Sequence, residues 1–120
     1  MGRKNAMKTE KTVNEREKEL QSVFKDVSDG EKILVNNLVK EVAYLEYRMA
    51  QLRELPQTQI ITKYKSNGDI IEGVKSTAAA KQYKECSQSY MNAIRILLNV
   101  LRKTDVDAGN ELLKKLEEFA

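Results

Sequence analysis

The chain has no histidine, no tryptophan, one cysteine, one proline and five glycines in 120 residues. Without histidine, the commonest side chain for acid–base work and zinc binding is missing. A lone cysteine, Cys86, excludes an internal disulfide and fits a reducing compartment. It falls on an apolar helix face, where a buried structural thiol is expected. No P-loop, nucleophile elbow or cysteine cluster occurs, so the expectation is a chain that is not an enzyme and uses no cofactor and no metal. Asp105-x-Asp107-x-Gly109 has its glycine one place early for a calcium loop and lacks the closing glutamate. It reads as a helix-capping linker. No apolar run reaches the length of a membrane span, and no apolar segment follows the basic start, so a soluble, unexported protein with no membrane partner is expected. Met-Gly at the start has Ala6 where a myristoylation signal needs Ser or Thr.

What is present is helical periodicity and charge, with 41% hydrophobic and 32% charged residues. The organising stretch runs from Ser28 to Leu55. Ser28 and Glu31 have capping-box spacing, and Pro56 stops the helix. Leu34, Leu38, Val42, Leu45, Met49 and Leu52 recur at steps of three and four and form one stripe. Val35 and Val39 widen it, while Ile33, Tyr44 and Tyr47 lie on another flank. Such a helix needs more than one neighbour, some of them expected from other subunits.

Residues 1–12 carry Arg3, Lys4, Lys8 and Lys11 against Glu10 alone, and read as a flexible basic arm. Such an arm is either a plain solvated terminus or a phosphate contact. Residues 13–27 read as a short amphipathic helix with Glu15, Arg16, Glu17, Lys18 and Glu19 on its outer face. A helix-turn-helix over 13–45, with Asn36, Asn37 and Lys40 on the recognition helix, is the weaker alternative. Beyond Pro56, Gln59–Tyr64 and Ile70–Val74 are rich in β-branched residues and flank Asn67-Gly68, which predicts a β-hairpin over 58–75. It should pack on a helix or pair with another copy, since a lone hairpin is marginal. Lys63, Lys65 and Lys75 make it basic, either as ordinary surface lysines or as a nucleic-acid contact.

Ser76 or Thr77 then caps a second long helix, about 78–103, with Ala79, Tyr83, Cys86, Tyr90, Ile94, Leu97 and Leu101 on one face. Near its end Ala93, Ile96, Leu98 and Val100 extend the apolar surface almost all round. The excess at Val35, Val39, Ile96, Leu97 and Val100 predicts a homo-oligomer interface, with Leu97→Asp disrupting assembly. Tyr64, Tyr83 and Tyr90 are either core or base-stacking residues. Residues 104–120 read as a linker and a short acidic helix with Leu112, Leu113, Leu116 and Phe119 on its apolar edge. That edge docks either on its own core or on a partner. The fold class is therefore mainly α. Two long antiparallel helices, joined by a hairpin-like connection and flanked by short helices, form an oligomerising core over 13–103.

The order of elements resembles the P27-type small subunits of bacteriophage terminases. The residues that carry the likeness are Glu31–Leu55, Tyr64-x-x-Asn67-Gly68 and Lys81-x-Tyr83…Tyr90-x-x-Ala93-Ile94-x-x-Leu97-Leu98-x-x-Leu101, spanning about 28–103. Lys75-Ser76-Thr77 and Thr104-Asp105-Val106 stand where members often carry proline-containing segments. The resemblance implies a non-catalytic homo-oligomeric ring in the cytoplasm of the bacterial host. It would recognise double-stranded viral DNA and deliver it to the terminase large subunit, which holds the ATPase and nuclease. It also implies that the acidic C-terminal helix docks that large subunit. The other reading is a helical homo-oligomeric adaptor that binds no nucleic acid.

Overall fold

A computed structural model describes residues 12–104 and 106–119. Helix α1 (Val13–Gln21) runs into one 3-10 turn, Ser22–Phe24, and then into the long helix α2 (Asp29–Arg53). Strands β1 (Thr58–Tyr64) and β2 (Ile70–Ser76) form an antiparallel pair, followed by α3 (Ala78–Thr104) and α4 (Val106–Phe119). The protein is thus mainly helical with one two-stranded hairpin.

Local chemistry sets the helix ends. Thr12 caps α1, its hydroxyl accepting the Glu15 amide at 3.1 Å. Ser28 caps α2 by accepting the Glu31 amide at 3.4 Å, while its hydroxyl donates to the Glu31 carboxylate at 3.1 Å. The carboxylate therefore meets the serine side chain and not the Ser28 amide of a full capping box. Thr77 caps α3 through the Ala80 amide at 3.1 Å, and its hydroxyl also donates to the carbonyl of Pro56 at 2.6 Å. One threonine thus starts a helix and closes the base of the hairpin.

Helices α2 and α3 pack as an antiparallel pair, as the order of their bonded residues shows: Glu46 meets Tyr90 and Arg53 meets Tyr83. Helix α1 also packs on α2, and α4 packs on α3 and on the 3-10 turn. Because α2 touches α1 as well as α3, its buried arc is rotated from the expected stripe. Val35, Val39, Val42, Ala43, Leu45, Met49 and Leu52 are buried, whereas Leu34 is 49% exposed. Ile33, Tyr44 and Tyr47 lie outside the arc and are exposed, as their phase requires.

This arrangement corrects the expected oligomer interface. Val35, Val39, Leu97 and Val100 are buried in the chain's own core, in one cluster with Leu20, Val23, Phe24 and Val27 from the segment before α2. Only Ile96 of that set is exposed, at 43%. Leu97→Asp is therefore expected to unfold the chain itself, because it places a charge inside the core.

The C-terminal segment is corrected too. Helix α3 reaches Thr104 and α4 starts at Val106, so the expected linker is part of a helix and Gly109 lies inside it. Glycine costs about 1 kcal/mol in a helix interior, and the packing of α4 offsets that. Leu112 is fully buried, and Leu116 and Phe119 pack on the core, while Leu113 is exposed. Three of the four proposed partner contacts are thus occupied by the chain itself.

Candidate functional site

Two clusters of polar residues stand out, one inside the helical bundle and one on the hairpin. The inner cluster centres on Arg16, which was expected on the outer face of α1 but is buried. Its Nε donates to Oε1 of Glu46 at 2.7 Å and its Nη2 to Oε2 at 3.2 Å, a bidentate pair with side chains 9% and 6% exposed. Nη1 reaches Glu19 at 3.1 Å and Glu118 at 3.4 Å, and Nη2 also donates to the Lys115 carbonyl at 2.7 Å. The Tyr90 hydroxyl donates to Oε2 of Glu46 at 2.8 Å. One guanidinium and its carboxylate partner therefore tie all four helices together.

Aromatic contacts extend this junction. Phe119 lies 5.7 Å from the Tyr90 ring, and the Arg53 guanidinium sits 4.7 Å from the Phe119 centroid and 5.6 Å from that of Tyr83. Burial pulls the Arg16 pKa down, but hydrogen bonds and charge from Glu46 and then Glu19 outweigh it, and the net shift is upward. The Tyr90 phenol is pushed well above its ordinary 10.0, first by burial and then by the charge and hydrogen bond of Glu46. Among the described residues no buried side-chain polar atom lacks a partner. A cluster with every group satisfied and no vacant donor has a structural role.

That upward shift gives an alkaline signature. Below about pH 10 the folded and unfolded chains both keep the Tyr90 proton, so stability does not depend on it. Above that pH the unfolded chain releases the proton and the folded chain holds it. Stability should then fall by about 1.4 kcal/mol per pH unit. Tyr90→Phe should remove this component, as urea unfolding across about pH 9 to 12 would show. Equal alkaline slopes for the two proteins would contradict it.

The second cluster is built by strand register. Thr58 pairs with Ser76, Ile60 with Val74, Thr62 with Glu72 and Tyr64 with Ile70. Directly opposed residues share a face and successive residues alternate. One face therefore carries Ile60, Tyr64, Ile70 and Val74, which are 74%, 75%, 60% and 73% exposed. Lys63, Lys65 and Lys75 all fall on the other face, beside Gln59, Ile61 and Ile71, and all three are exposed. The hairpin was expected to pack on a helix or to pair with another copy. Within the chain it does not lie on a helix, and both faces are largely open.

The turn between the strands is longer than a two-residue loop. Only Gly68 has positive φ, at 91°, and its amide donates to the Lys65 carbonyl at 3.0 Å. The Lys65 amide donates to the Asp69 carbonyl at 2.7 Å. This is a three-residue loop, a type I turn closed by a left-handed glycine. Asn67 stabilises it by accepting the Asp69 amide and donating to the Asp69 carboxylate, each at 3.1 Å.

The remaining expected sites divide clearly. Arg3, Lys4, Lys8, Lys11 and Asp105 lie outside the described residues. Asn36, Asn37 and Lys40 are exposed on α2. Tyr90 is buried and Tyr83 lies beneath Arg53, so of the three tyrosines weighed for stacking only Tyr64 is open. Cys86 is half-buried against the core. Among the described residues no group of three or more His, Cys, Asp or Glu side chains could hold a metal. No helix among them is long and apolar enough to cross a membrane. The Arg16–Glu46–Tyr90 junction was not anticipated. Its signal was Glu46 itself, a charged residue at helical step from Val42 and Met49 on an apolar arc. No family model, curated protein or solved structure matches the chain.

Proposed function

We propose that the chain is a small terminase subunit of a bacteriophage, a non-catalytic, self-associating protein that binds double-stranded viral DNA and delivers it to a large packaging subunit. The observation that carries this reading is the hairpin register, which gathers Lys63, Lys65 and Lys75 on one open face. The order of helix, hairpin and helix supports it as well. Lysines on a shared face can each neutralise a phosphate, and the resulting affinity depends on released counterions. Lys63 lies in β1 and Lys65 just past its end, two residues on, a spacing of about 7 Å in extended chain. The inward face of α4 is not available to a large subunit in this reading, so that contact must use another surface.

The test is a salt titration of duplex DNA binding by the full chain. Affinity should fall linearly with salt on logarithmic axes. Changing Lys63, Lys65 and Lys75 to Ala should reduce the slope by about 0.9 per lysine lost from a phosphate. An unchanged slope would remove the hairpin from the interface. A self-associated chain with no salt-dependent DNA binding would favour the adaptor reading, for which the apolar hairpin face is the supporting observation.

A further inference from the structure

The backbone of the hairpin has an open side as well as open faces. Gln57 bonds to Thr77 and Lys65 to Asp69, so in this register the odd-numbered residues of β1 exchange bonds with β2. The amides and carbonyls of Thr58, Ile60, Thr62 and Tyr64 therefore point outward along the β1 edge. None of them has a backbone partner among the described residues. Proteins usually blunt such an edge with proline, a bulge, an inward charge or a covering segment. Strand β1, Thr-Gln-Ile-Ile-Thr-Lys-Tyr, carries one charge that can guard an edge, Lys63, but has no proline, pairs without a bulge, and is covered by no helix.

We propose that the β1 edge is a homotypic docking surface, on which the β1 strand of a second copy pairs antiparallel to form a four-stranded sheet. This rests on the self-association included in the functional reading above and assigns it to a surface. Three observations favour a second copy as occupant. A two-stranded sheet is marginal alone, whereas three or more strands with an apolar face are stable, and a second copy supplies two strands at once. With the strand centres aligned, Ile60 opposes Thr62 of the second copy and Tyr64 opposes Thr58. Lys63 then opposes Gln59, so no like charges meet directly. Pairing also places two sets of Ile60, Tyr64, Ile70 and Val74 side by side, joining two exposed patches into one apolar face. The lysine faces of both copies fall together on the reverse side.

The β2 edge is less suited to the same pairing. Its outward residues include Glu72, and Gly73 weakens the strand. Two copies joined there would bring their Glu72 carboxylates into diagonal proximity.

The geometry supplies its own edge-specific probe. The Thr62 amide points outward, so Thr62→Pro removes a group that β1–β2 pairing does not use. Glu72→Pro is the matching change on the other edge. Native mass is measured for the full chain, Thr62→Pro, Glu72→Pro and Ile60→Lys, with circular dichroism checking that helix content is unchanged. The expected result is an oligomer for the unaltered chain and for Glu72→Pro, with a shift to smaller species for Thr62→Pro and Ile60→Lys. Loss of assembly in Glu72→Pro alone would overturn the β1 assignment. Oligomers in every variant would overturn the hairpin interface while leaving self-association intact. A monomeric unaltered chain would overturn both.

Discussion

Glu46→Ala is expected to cost about 3–5 kcal/mol, the range found when one partner of a buried ion pair is removed. The change leaves the Arg16 guanidinium buried without its bidentate partner and leaves the Tyr90 hydroxyl without its acceptor. Glu19, Glu118 and the Lys115 carbonyl still contact Arg16, but the two glutamates are more exposed and their attraction is weaker. Domain stabilities are typically about 5–15 kcal/mol, so this one change should consume a large share. Glu46→Gln should be milder, because the amide oxygen can still accept one hydrogen bond. Replacing Arg16, Glu46 and Tyr90 together by Met, Leu and Phe should recover most of the loss, since it removes the buried charge pair and the hydroxyl at once and leaves the more exposed Glu19 and Glu118 to water. Urea unfolding of these variants gives the answer. A cost below about 1 kcal/mol for Glu46→Ala would place the pair in water and contradict the closed junction.

Truncation after Lys103 is expected to have an effect at least as large. It removes Leu112, which is fully buried, together with Phe119 against Tyr90 and the Lys115 carbonyl on Arg16. Loss of a buried leucine side chain alone costs about 2–5 kcal/mol, and here the whole covering helix goes with it. The shortened chain should lose cooperative thermal unfolding or melt far below the full chain. A truncated chain with an unchanged midpoint would mean that α4 is a separable docking helix. Leu112→Asp tests the same contact without shortening the chain, and should fail for the same reason. Leu113→Asp, on the exposed side of the same helix, should be tolerated.

These two results concern features that the sequence reveals unequally. Helix starts are legible because capping is local: Ser28 and Thr77 act within one turn of themselves. The hairpin is legible for a similar reason, through Asn67-Gly68 between β-branched runs. Its turn type is not, because the choice depends on which residues close the loop. Periodicity shows that α2 has a broad apolar arc. It does not show that α1 and α4 of the same chain complete the enclosure, and so surplus apolar surface reads as an interface between copies. Arg16 looks solvated because charge is its only local signal, Glu46 is marked only by its place on the apolar arc, and their pairing joins residues 30 or more positions apart. The lysine face of the hairpin becomes visible once the register is fixed, since a slip of one residue would put Lys75 on the face opposite Lys63 and Lys65.

The division of labour between a closed helical unit and an open hairpin is tested most directly by amide hydrogen exchange of the full chain with and without duplex DNA. Protection gained by DNA across residues 58–76, with the four helices unchanged, is the expected result. Protection gained along the exposed side of α2 near Asn36, Asn37 and Lys40, with none at the hairpin, would contradict it.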